Sequence, residues 1–361
     1  MDSRIAKAQQ YAREAGIDAL LITPGADLRY LTGYEAKPLE RLTCLVLPSE
    51  GEAVMVVPEL ERASALHYGV SSEIRSWTET EDPFDLVTSL LPADAQTLAL
   101  DDQMWASRVL TLRDRLPDVR LALAGDVLRE LRIIKSAEEI DFLRVAGATI
   151  DRVHDRMHEW LKPGRSELDV GADIARAILD EGHTSVDFVI VGSGPNGASP
   201  HHDVSDRIIE AGKPVVIDIG GTTRDGYCSD STRNYIVGDQ VPEAYERAYE
   251  ALLAAQKAQC VFAGPGVSAE AVDRVGRQIL DEHGYADLFI HRTGHGIGQE
   301  THEHPYIVEG NTQVLREGMA FSIEPGVYFE GQFGARIEDI VVCTEDGIER
   351  LNHTSRALRH L

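Results

Sequence analysis

Two segments of the chain, about a hundred residues apart, have the same pattern, and this repeat restricts the fold more than any other sequence feature. In residues 163–181 and again in 265–282, Pro-Gly-x-Ser leads to Ile-Leu-Asp-Glu. In each copy a helix ends at Pro-Gly, a serine caps the next helix, and a strand is expected to follow, at 188–191 and 288–291. The repeat therefore predicts an internally duplicated domain whose two halves enclose a central cleft.

The chain before the repeat has the signals of a separate, smaller domain. The 361 residues exceed the roughly 250–300 at which a single hydrophobic core stops growing, so two domains are expected. Short apolar runs bounded by turn residues predict strands at 19–23, 42–47 (paired with 53–57), 98–100 and 119–123. A capping box at Ser136 and Glu139 begins a long helix. We expect a small α/β domain at 1–125 and a catalytic domain at 126–361.

The composition excludes several classes of partner. Sixty acidic and 35 basic side chains give a formal charge of −25, which disfavours binding to nucleic acid and to anionic membranes. No run of about 18 apolar residues occurs, and the start of the chain lacks the apolar core of a signal peptide. We expect a cytoplasmic protein with reduced thiols, because its cysteines are scattered and few: Cys44, Cys228, Cys260 and Cys343.

An acid interrupts the apolar strand predicted at 214–220. Asp218 lies between two isoleucines, and a buried carboxylate is costly unless a charged partner compensates it. The following strand carries Asp230. A hairpin with a three-residue loop, with Thr222 opposite Gly226, would place the two aspartates directly opposite each other.

The second half of the repeat presents the same problem. Glu324 ends an alternating strand and Glu338 lies on the next one, while three glycines in 293–298 allow a loop to present His295. Four neighbouring carboxylates raise one another's pKa unless cations neutralise them, and two divalent ions balance four negative charges. Oxygen ligands with one imidazole favour Mn²⁺, or Co²⁺, Fe²⁺ or Zn²⁺ by availability.

Each of these residues also has an ordinary structural explanation. Asp218 could end a strand, Asp230 and Glu338 could be surface acids, Glu324 could precede a proline bend, and His295 could simply belong to a glycine-rich loop. These explanations do not account for acids in apolar strands at matching places in two similar halves. The joint pattern favours a metal site.

At this point the residues resemble the metal-dependent pita-bread peptidases, family M24, in the branch of prolidase (Xaa-Pro dipeptidase) and aminopeptidase P. The resemblance covers nearly the whole chain and includes a creatinase-like N-terminal domain. It rests on these segments: DLRYLTGY (27–34), LRIIKSAEEI (131–140), ASPHH (198–202), VIDIGG with GYCSDSTRN, TGHGIGQETHEHPYI (293–307), FSIEPGVY and GARIEDIVV.

The resemblance implies a role for particular residues. It implies a dinuclear centre, in which Asp230 and Glu338 bridge the ions and Asp218 supports one of them; the ligand set is Asp218, Asp230, His295, Glu324 and Glu338. Two accessory histidines, His201 and His302, and Arg336 are implied to contact the substrate or an intermediate.

Some positions allow more than one interpretation. His202, beside His201, is either the functional histidine or a solvated one, and Glu303 and His304 could be surface residues. Some prolidases carry an arginine where this chain has Tyr306, which makes recognition of a free substrate carboxylate less certain.

The hypothesis from sequence is hydrolysis of the Xaa-Pro bond of dipeptides or short peptides by a hydroxide bridging two metal ions. Glu324 would move a proton and His201 or His302 would stabilise the oxyanion. The nearest alternative is Xaa-Pro aminopeptidase (aminopeptidase P); others are a creatinase-like hydrolase without metal and a binding protein that keeps the fold without turnover. The resemblance also implies a homodimer in which the N-terminal domain caps the partner's cleft.

Overall fold

The computed structural model describes residues 2–238 and 240–361, and the chain forms two compact units, Met1–Arg132 and Ile133–Leu361. A helix, Gly125–Arg132, occupies the stretch after the boundary expected at residue 125. The domain limits 1–125 and 126–361 stay a prediction.

The first unit is a mixed sheet with helices between its strands. Its helices are α1 Asp2–Glu14, α2 Ala26–Thr32, α3 Arg62–His67, α4 Pro83–Ser89, α5 Ala106–Arg115 and α6 Gly125–Arg132. Its strands are β1 Ala19–Ile22, β2 Cys44–Pro48, β3 Val54–Pro58, β4 Glu73–Trp77, β5 Thr97–Leu100 and β6 Arg120–Leu123.

The strand order in this sheet is β4-β3-β2-β1-β5-β6. Strands β1, β2, β3 and β5 are buried along their whole length, as expected for short apolar runs packed on both faces. The predicted strands and the pairing of β2 with β3 are confirmed.

The second unit holds the duplicated segments. Its helices are α7 Ala137–Asp155, α8 Met157–Trp160, α9 Glu167–Glu181, α10 Glu243–Phe262 and α11 Ala269–Glu282. Its strands are β7 His183–Ser193, β8 Pro214–Thr223, β9 Ser231–Ile236, β10 Gly294–Gly296, β11 Glu303–Ile307, β12 Ala320–Ile323, β13 Gly326–Phe329, β14 Phe333–Arg336, β15 Asp339–Cys343, β16 Ile348–Arg350 and β17 Arg359–His360.

These strands form sheets in the orders β17-β9-β8-β7, β11-β10-β12-β15-β16 and β13-β14. The capping box expected at the start of α7 is present, with the Ser136 hydroxyl accepting from the Glu139 amide and the Glu139 carboxylate accepting from the Ser136 amide. Strands β8 and β9 of the first half contact β14 of the second half.

The two copies of the repeat make matching backbone contacts. The glycine of each Pro-Gly turn has a positive φ, 88° at Gly164 and 89° at Gly266. The amide of Gly164 donates to the carbonyl of Ile209, and the amide of Gly266 donates to the carbonyl of Leu315, both at 2.9 Å. The serines that follow occupy the N-caps of α9 and α11. The similarity expected from the sequence is therefore present in the backbone.

The prediction of a strand at 288–291 is wrong. Residues Ala286–Leu288 form a short 3₁₀ turn, and the chain then continues without a strand partner to β10. Arg277 on α11 donates to the carbonyls of Phe289 and His291, at 2.9 and 2.6 Å. A guanidinium therefore satisfies backbone groups that would otherwise need a neighbouring strand.

Two further expectations concern the whole chain. Among the described residues, no helix is both long and apolar enough to cross a lipid bilayer. The four cysteines are free thiols; three are buried and Cys260 is half-buried.

Candidate metal centre

A cavity of about 1020 Å³ lies in the second unit and is lined by both halves of the repeat. The ligand-type residues predicted from the sequence all line it, together with both accessory histidines and Arg336; the set is Asp218, Asp230, His295, Glu324, Glu338, His201 and His302. Strand β7 and the loop after it form one wall, and residues 290–292 contribute to another.

The hairpin of β8 and β9 carries the first two carboxylates in a register different from the predicted one. Asp218 lies opposite Thr232, not Asp230, because the hairpin loop is longer than expected and closes between Thr222 and Cys228. Asp230 is displaced by two residues along the strand. Since side chains alternate with a period of two, it stays on the same face as a diagonal neighbour of Asp218.

The second half places its two ligand-type glutamates at strand ends. Glu324 follows β12, and Glu338 lies in the break between β14 and β15. His295 is in the middle of the short strand β10, so the expectation that a loop presents it is wrong. A Cβ on the preceding residue, Gly294, would lie 1.9 Å from the carbonyl oxygen of Ser322, so glycine allows β10 to approach β12.

Three of these residues form a group suited to a cation. One ligand atom each from Asp230, His295 and Glu338 lies within 4.8 Å of the others, and all three side chains are buried. His295 Nε2 is also 3.1 Å from Glu324 Oε1 and 3.7 Å from Asp230 Oδ2. The carboxylate oxygens and the imidazole nitrogen are donors that first-row divalent metals accept.

The electrostatics of the carboxylates also fit a cation. Burial, followed by the charges of neighbouring carboxylates, raises the pKa of both Asp230 and Glu338 well above the usual range. Buried oxygens of two carboxylates, Asp218 Oδ1 and Glu338 Oε1, have no hydrogen-bond partner. A divalent ion held between these acids would satisfy the oxygens and favour the ionised carboxylates.

Hydrogen bonds fix the orientation of His295. Its Nδ1 lies 3.1 Å from the carbonyl oxygen of Gly296, which can only accept, so Nδ1 carries a hydrogen and Nε2 points to the acids. Burial lowers the pKa of His295, but the hydrogen bond and charge of Glu324 outweigh burial, and the pKa is raised. For Glu324 the signs are opposite: burial raises its pKa, and the hydrogen bond and charge of His295 outweigh burial, so the pKa is lowered. The two side chains stabilise each other's charged forms.

Arg336 and its contacts complete one side of the cavity. Its guanidinium donates to Asp218 Oδ2 at 2.5 Å, to the Tyr328 hydroxyl at 2.8 Å and to the Thr232 hydroxyl at 3.1 Å. The Thr232 hydroxyl in turn donates to Glu338 Oε2 at 2.8 Å. These bonds connect acids from both halves of the repeat.

The accessory histidines lie in different surroundings. The rings of His302 and His295 are 4.0 Å apart, and burial followed by the charge of His295 lowers the pKa of His302 to about 4. His201 is exposed at the cavity wall. The neighbouring His202 is half-buried and engaged, because its Nε2 donates to Glu167 Oε2 at 2.8 Å.

Residues near the cavity that could have been surface groups are in fact engaged. The buried Glu303 forms an ion pair with Lys135. The rings of His304 and Tyr306 are in tilted contact, with centroids 4.6 Å apart, and the guanidinium of Arg292 lies 4.3 Å from the centre of the Tyr306 ring. Tyr306, which stands where some prolidases carry an arginine, is therefore in contact with a different arginine, Arg292.

Sequence reasoning missed three residues that contact side chains of this site: Thr232 and Tyr328, which bind Arg336, and Glu167, which binds His202. Thr232 sits two residues after Asp230 on the same strand face, which the period of two could have indicated. Nothing in the sequence distinguishes Tyr328 from a core aromatic residue or Glu167 from an ordinary acid in the first turn of a helix.

Comparison with known proteins gives matches over both units. A family model described as metallopeptidase family M24 matches residues 141–345, and one described as creatinase/prolidase N-terminal domain matches residues 4–134. The probable dipeptidase PepE of Mycobacterium tuberculosis is 51% identical over 98% of this chain and 95% of its own length.

Two further relatives extend this likeness. The Xaa-Pro dipeptidase of Lactobacillus helveticus is 34% identical over 98% of this chain and 97% of its own length. The crystal structure of a prolidase from Thermococcus sibiricus is 38% identical, with a TM-score of 0.94 over 100% of this chain and 99% of that one. The predicted fold class, a small creatinase-like α/β domain followed by an internally duplicated pita-bread domain, is confirmed.

Proposed function

Because the chain belongs to metallopeptidase family M24, we propose that it is a metal-dependent Xaa-Pro dipeptidase that hydrolyses the bond before proline in dipeptides. The single observation that carries this proposal is the buried group of Asp230, His295 and Glu338 that lines the cavity. Relatives named Xaa-Pro dipeptidase and prolidase, aligned over nearly their whole length, support the choice of substrate.

We assign the metal site to Asp218, Asp230, His295, Glu324 and Glu338, as a centre for two divalent ions. Support comes from the unpartnered oxygens of Asp218 and Glu338 and from the raised pKa of Asp230 and Glu338. Mn²⁺ is our first choice of ion because the donors are mostly carboxylate oxygens. When bound, such ions lower the pKa of water and polarise a carbonyl group.

The remaining chemistry belongs to side chains of the protein. We propose that Glu324 accepts a proton at its carboxylate and passes it to the proline nitrogen of the leaving group. In the same proposal, His201 or His302 donates a hydrogen bond to the oxygen that becomes negatively charged. Arg336 holds Asp218 and Thr232 in position through its guanidinium.

A comparison of two substrates tests the proposal. Ala-Pro and Ala-Pro-Ala are incubated with the protein in Mn²⁺, Co²⁺ or Zn²⁺, and the free amino acids are quantified. We expect release of proline from Ala-Pro and little cleavage of the longer peptide. Release of alanine from Ala-Pro-Ala but not from Ala-Pro would instead identify an Xaa-Pro aminopeptidase, and no cleavage of either would exclude both.

Two properties of the whole protein are part of the same proposal. We propose a cytoplasmic homodimer in which residues 1–125 cap the partner's cleft and limit the length of the peptide. Sedimentation measures the dimer directly. A monomer with full activity on long peptides would contradict the capping role.

A further inference from the structure

A buried carboxylate outside the metal centre gathers donors from a single loop. Glu167 is the first residue of α9, and its side chain has no exposure to solvent. Every hydrogen bond the structure gives this carboxylate comes from residues 193–205. They are the Ser193 amide and hydroxyl at 2.7 Å, the Asn196 amide group at 3.0 Å, the Ser205 hydroxyl at 2.6 Å and His202 Nε2 at 2.8 Å.

These donors compensate the cost of burying the charge. Burial raises the pKa of Glu167, but the hydrogen bonds, led by that of Ser205, outweigh it and the pKa is lowered. The first turn of a helix also favours a negative charge. Glu167 is thus held ionised in one place, and the loop is arranged around it.

The same loop forms a wall of the catalytic cavity. Residues 199–203 line the cavity, and the guanidinium of Arg336 donates to the carbonyl oxygen of Pro200 at 3.3 Å. His201 lies between Pro200 and His202, so both of its neighbours are fixed, one by Arg336 and the other by Glu167. His201 and His302 both line this cavity.

We propose that Glu167 is a positioning residue which, with His202 as its partner, anchors residues 193–205 and thereby holds His201 at the cavity. This inference rests on the proposed function only where it concerns activity. It gives the adjacent histidines separate roles: His202 binds Glu167 and His201 faces the substrate. The carboxylate does not touch the reacting atoms and acts through the loop.

Hydrogen exchange tests the anchor without any substrate. Exchange at peptides covering 193–207 is compared in the metal-loaded wild type, Glu167→Gln and Glu181→Gln. Glu181 is a matched control because it ends the same helix and accepts from Arg152 and Arg156, far from the loop in sequence. We expect faster exchange at 193–207 only in Glu167→Gln, since the amide replaces an acceptor oxygen with a donor. Unchanged exchange at 193–207 would overturn the anchor.

A double-mutant cycle tests the link to His201. Hydrolysis of Ala-Pro is measured for the wild type, Glu167→Gln, His201→Ala and the double variant. Misplacement of a group that contacts the substrate can cost about 10- to 100-fold in kcat/KM, so we expect that loss from Glu167→Gln alone. In the His201→Ala background we expect Glu167→Gln to lower kcat/KM by less than about twofold, because the group that Glu167 positions is absent. Independent, additive losses would contradict a role through His201.

A pair of substitutions at His202 keeps the proposal testable if Glu167→Gln fails to fold. His202→Gln retains a donor for Glu167, so it should keep most of kcat/KM and the slow hydrogen exchange of residues 193–207. His202→Ala should lose both. Equal behaviour of the two variants would overturn the role of His202. If the wild type cleaves no Xaa-Pro peptide, the proposed function fails, and the exchange experiment still decides whether Glu167 anchors the loop.

Discussion

The residues that identify this protein's chemistry are acids placed where acids are costly. Asp230 and Glu338 are buried among like charges, which raises the pKa of each. The sequence revealed these residues because a carboxylate within an apolar run needs a compensating partner. It could not reveal Glu167, since the donors that compensate this acid lie in a loop many residues further along the chain.

The Glu324→Gln substitution tests the proton transfer. Gln has nearly the same volume but cannot accept a proton, so we expect kcat to fall by about 100-fold or more while the fold is kept. Glu330→Gln, an exposed acid in the turn between β13 and β14, is the control and should leave kcat unchanged. Ala-Pro hydrolysis and circular dichroism are the measurements. Full activity of Glu324→Gln would remove this residue from the mechanism.

His154 predicts how stability depends on pH. Burial, and then the charge of Arg233, lowers the pKa of His154 to about 3 from 6.5. Between pH 3 and 6.5 the unfolded chain binds one more proton at this histidine than the folded chain does. The contribution of neutral His154 to the unfolding free energy is therefore complete above pH 6.5 and is lost as the pH falls toward 3. We expect His154→Gln to reduce the slope of unfolding free energy by about 1.4 kcal/mol per pH unit between pH 6 and 4. Urea unfolding at several pH values gives both slopes, and equal slopes would refute the assignment.

Local signals predict helices and strands more reliably than register. The capping box of α7 and the pairing of β2 with β3 follow from neighbouring residues, and both were predicted. The register of β8 and β9 depends on the hairpin loop, whose length the sequence does not specify. The absence of a strand at 288–291 depends on Arg277, whose contacts exist only after α11 has packed.

The repeated N-caps allow a matched comparison of one substitution. The Ser166 hydroxyl accepts from the Asp169 amide at 3.1 Å, whereas the side chain of Ser268 makes no capping bond to α11. We expect Ser166→Ala to reduce the unfolding free energy by about 1 kcal/mol and Ser268→Ala to reduce it by less than half as much. Urea denaturation of both variants measures the difference. Equal losses would mean that the capping bond is not the source of the effect.

At the scale of the whole molecule, the predictable part was the arrangement in two units and the duplication. The period of the repeat, the helix-capping serines and the positions of acids in apolar strands all agreed with one architecture. Agreement between independent signals favours a correct fold assignment. The contacts that complete the cavity were not predictable. Arg336 reaches Asp218 from another strand, and such long-range bonds depend on packing rather than on local sequence.

Removing divalent ions should destabilise the protein. Ligands that bind only the folded state stabilise it by about 2.7 kcal/mol at a hundred times Kd, so we expect Mn²⁺ to raise the Tm of chelator-treated protein by at least about 3 °C. Scanning calorimetry with and without Mn²⁺ measures this shift.

Asp230→Asn is the control for that experiment. The substitution removes a buried like charge, so the chelated variant should melt no lower than the chelated wild type, while its response to Mn²⁺ is lost. A response equal to that of the wild type would contradict a metal role for Asp230.

The division of ligand-type residues between the halves of the repeat has a consequence for the origin of the domain. Asp218 and Asp230 come from the first copy, and His295, Glu324 and Glu338 come from the second. A shorter chain with a single copy would build only one wall of the cavity. Such an ancestor would have to associate with a second chain before it could hold an ion, so self-association would have preceded the fused gene.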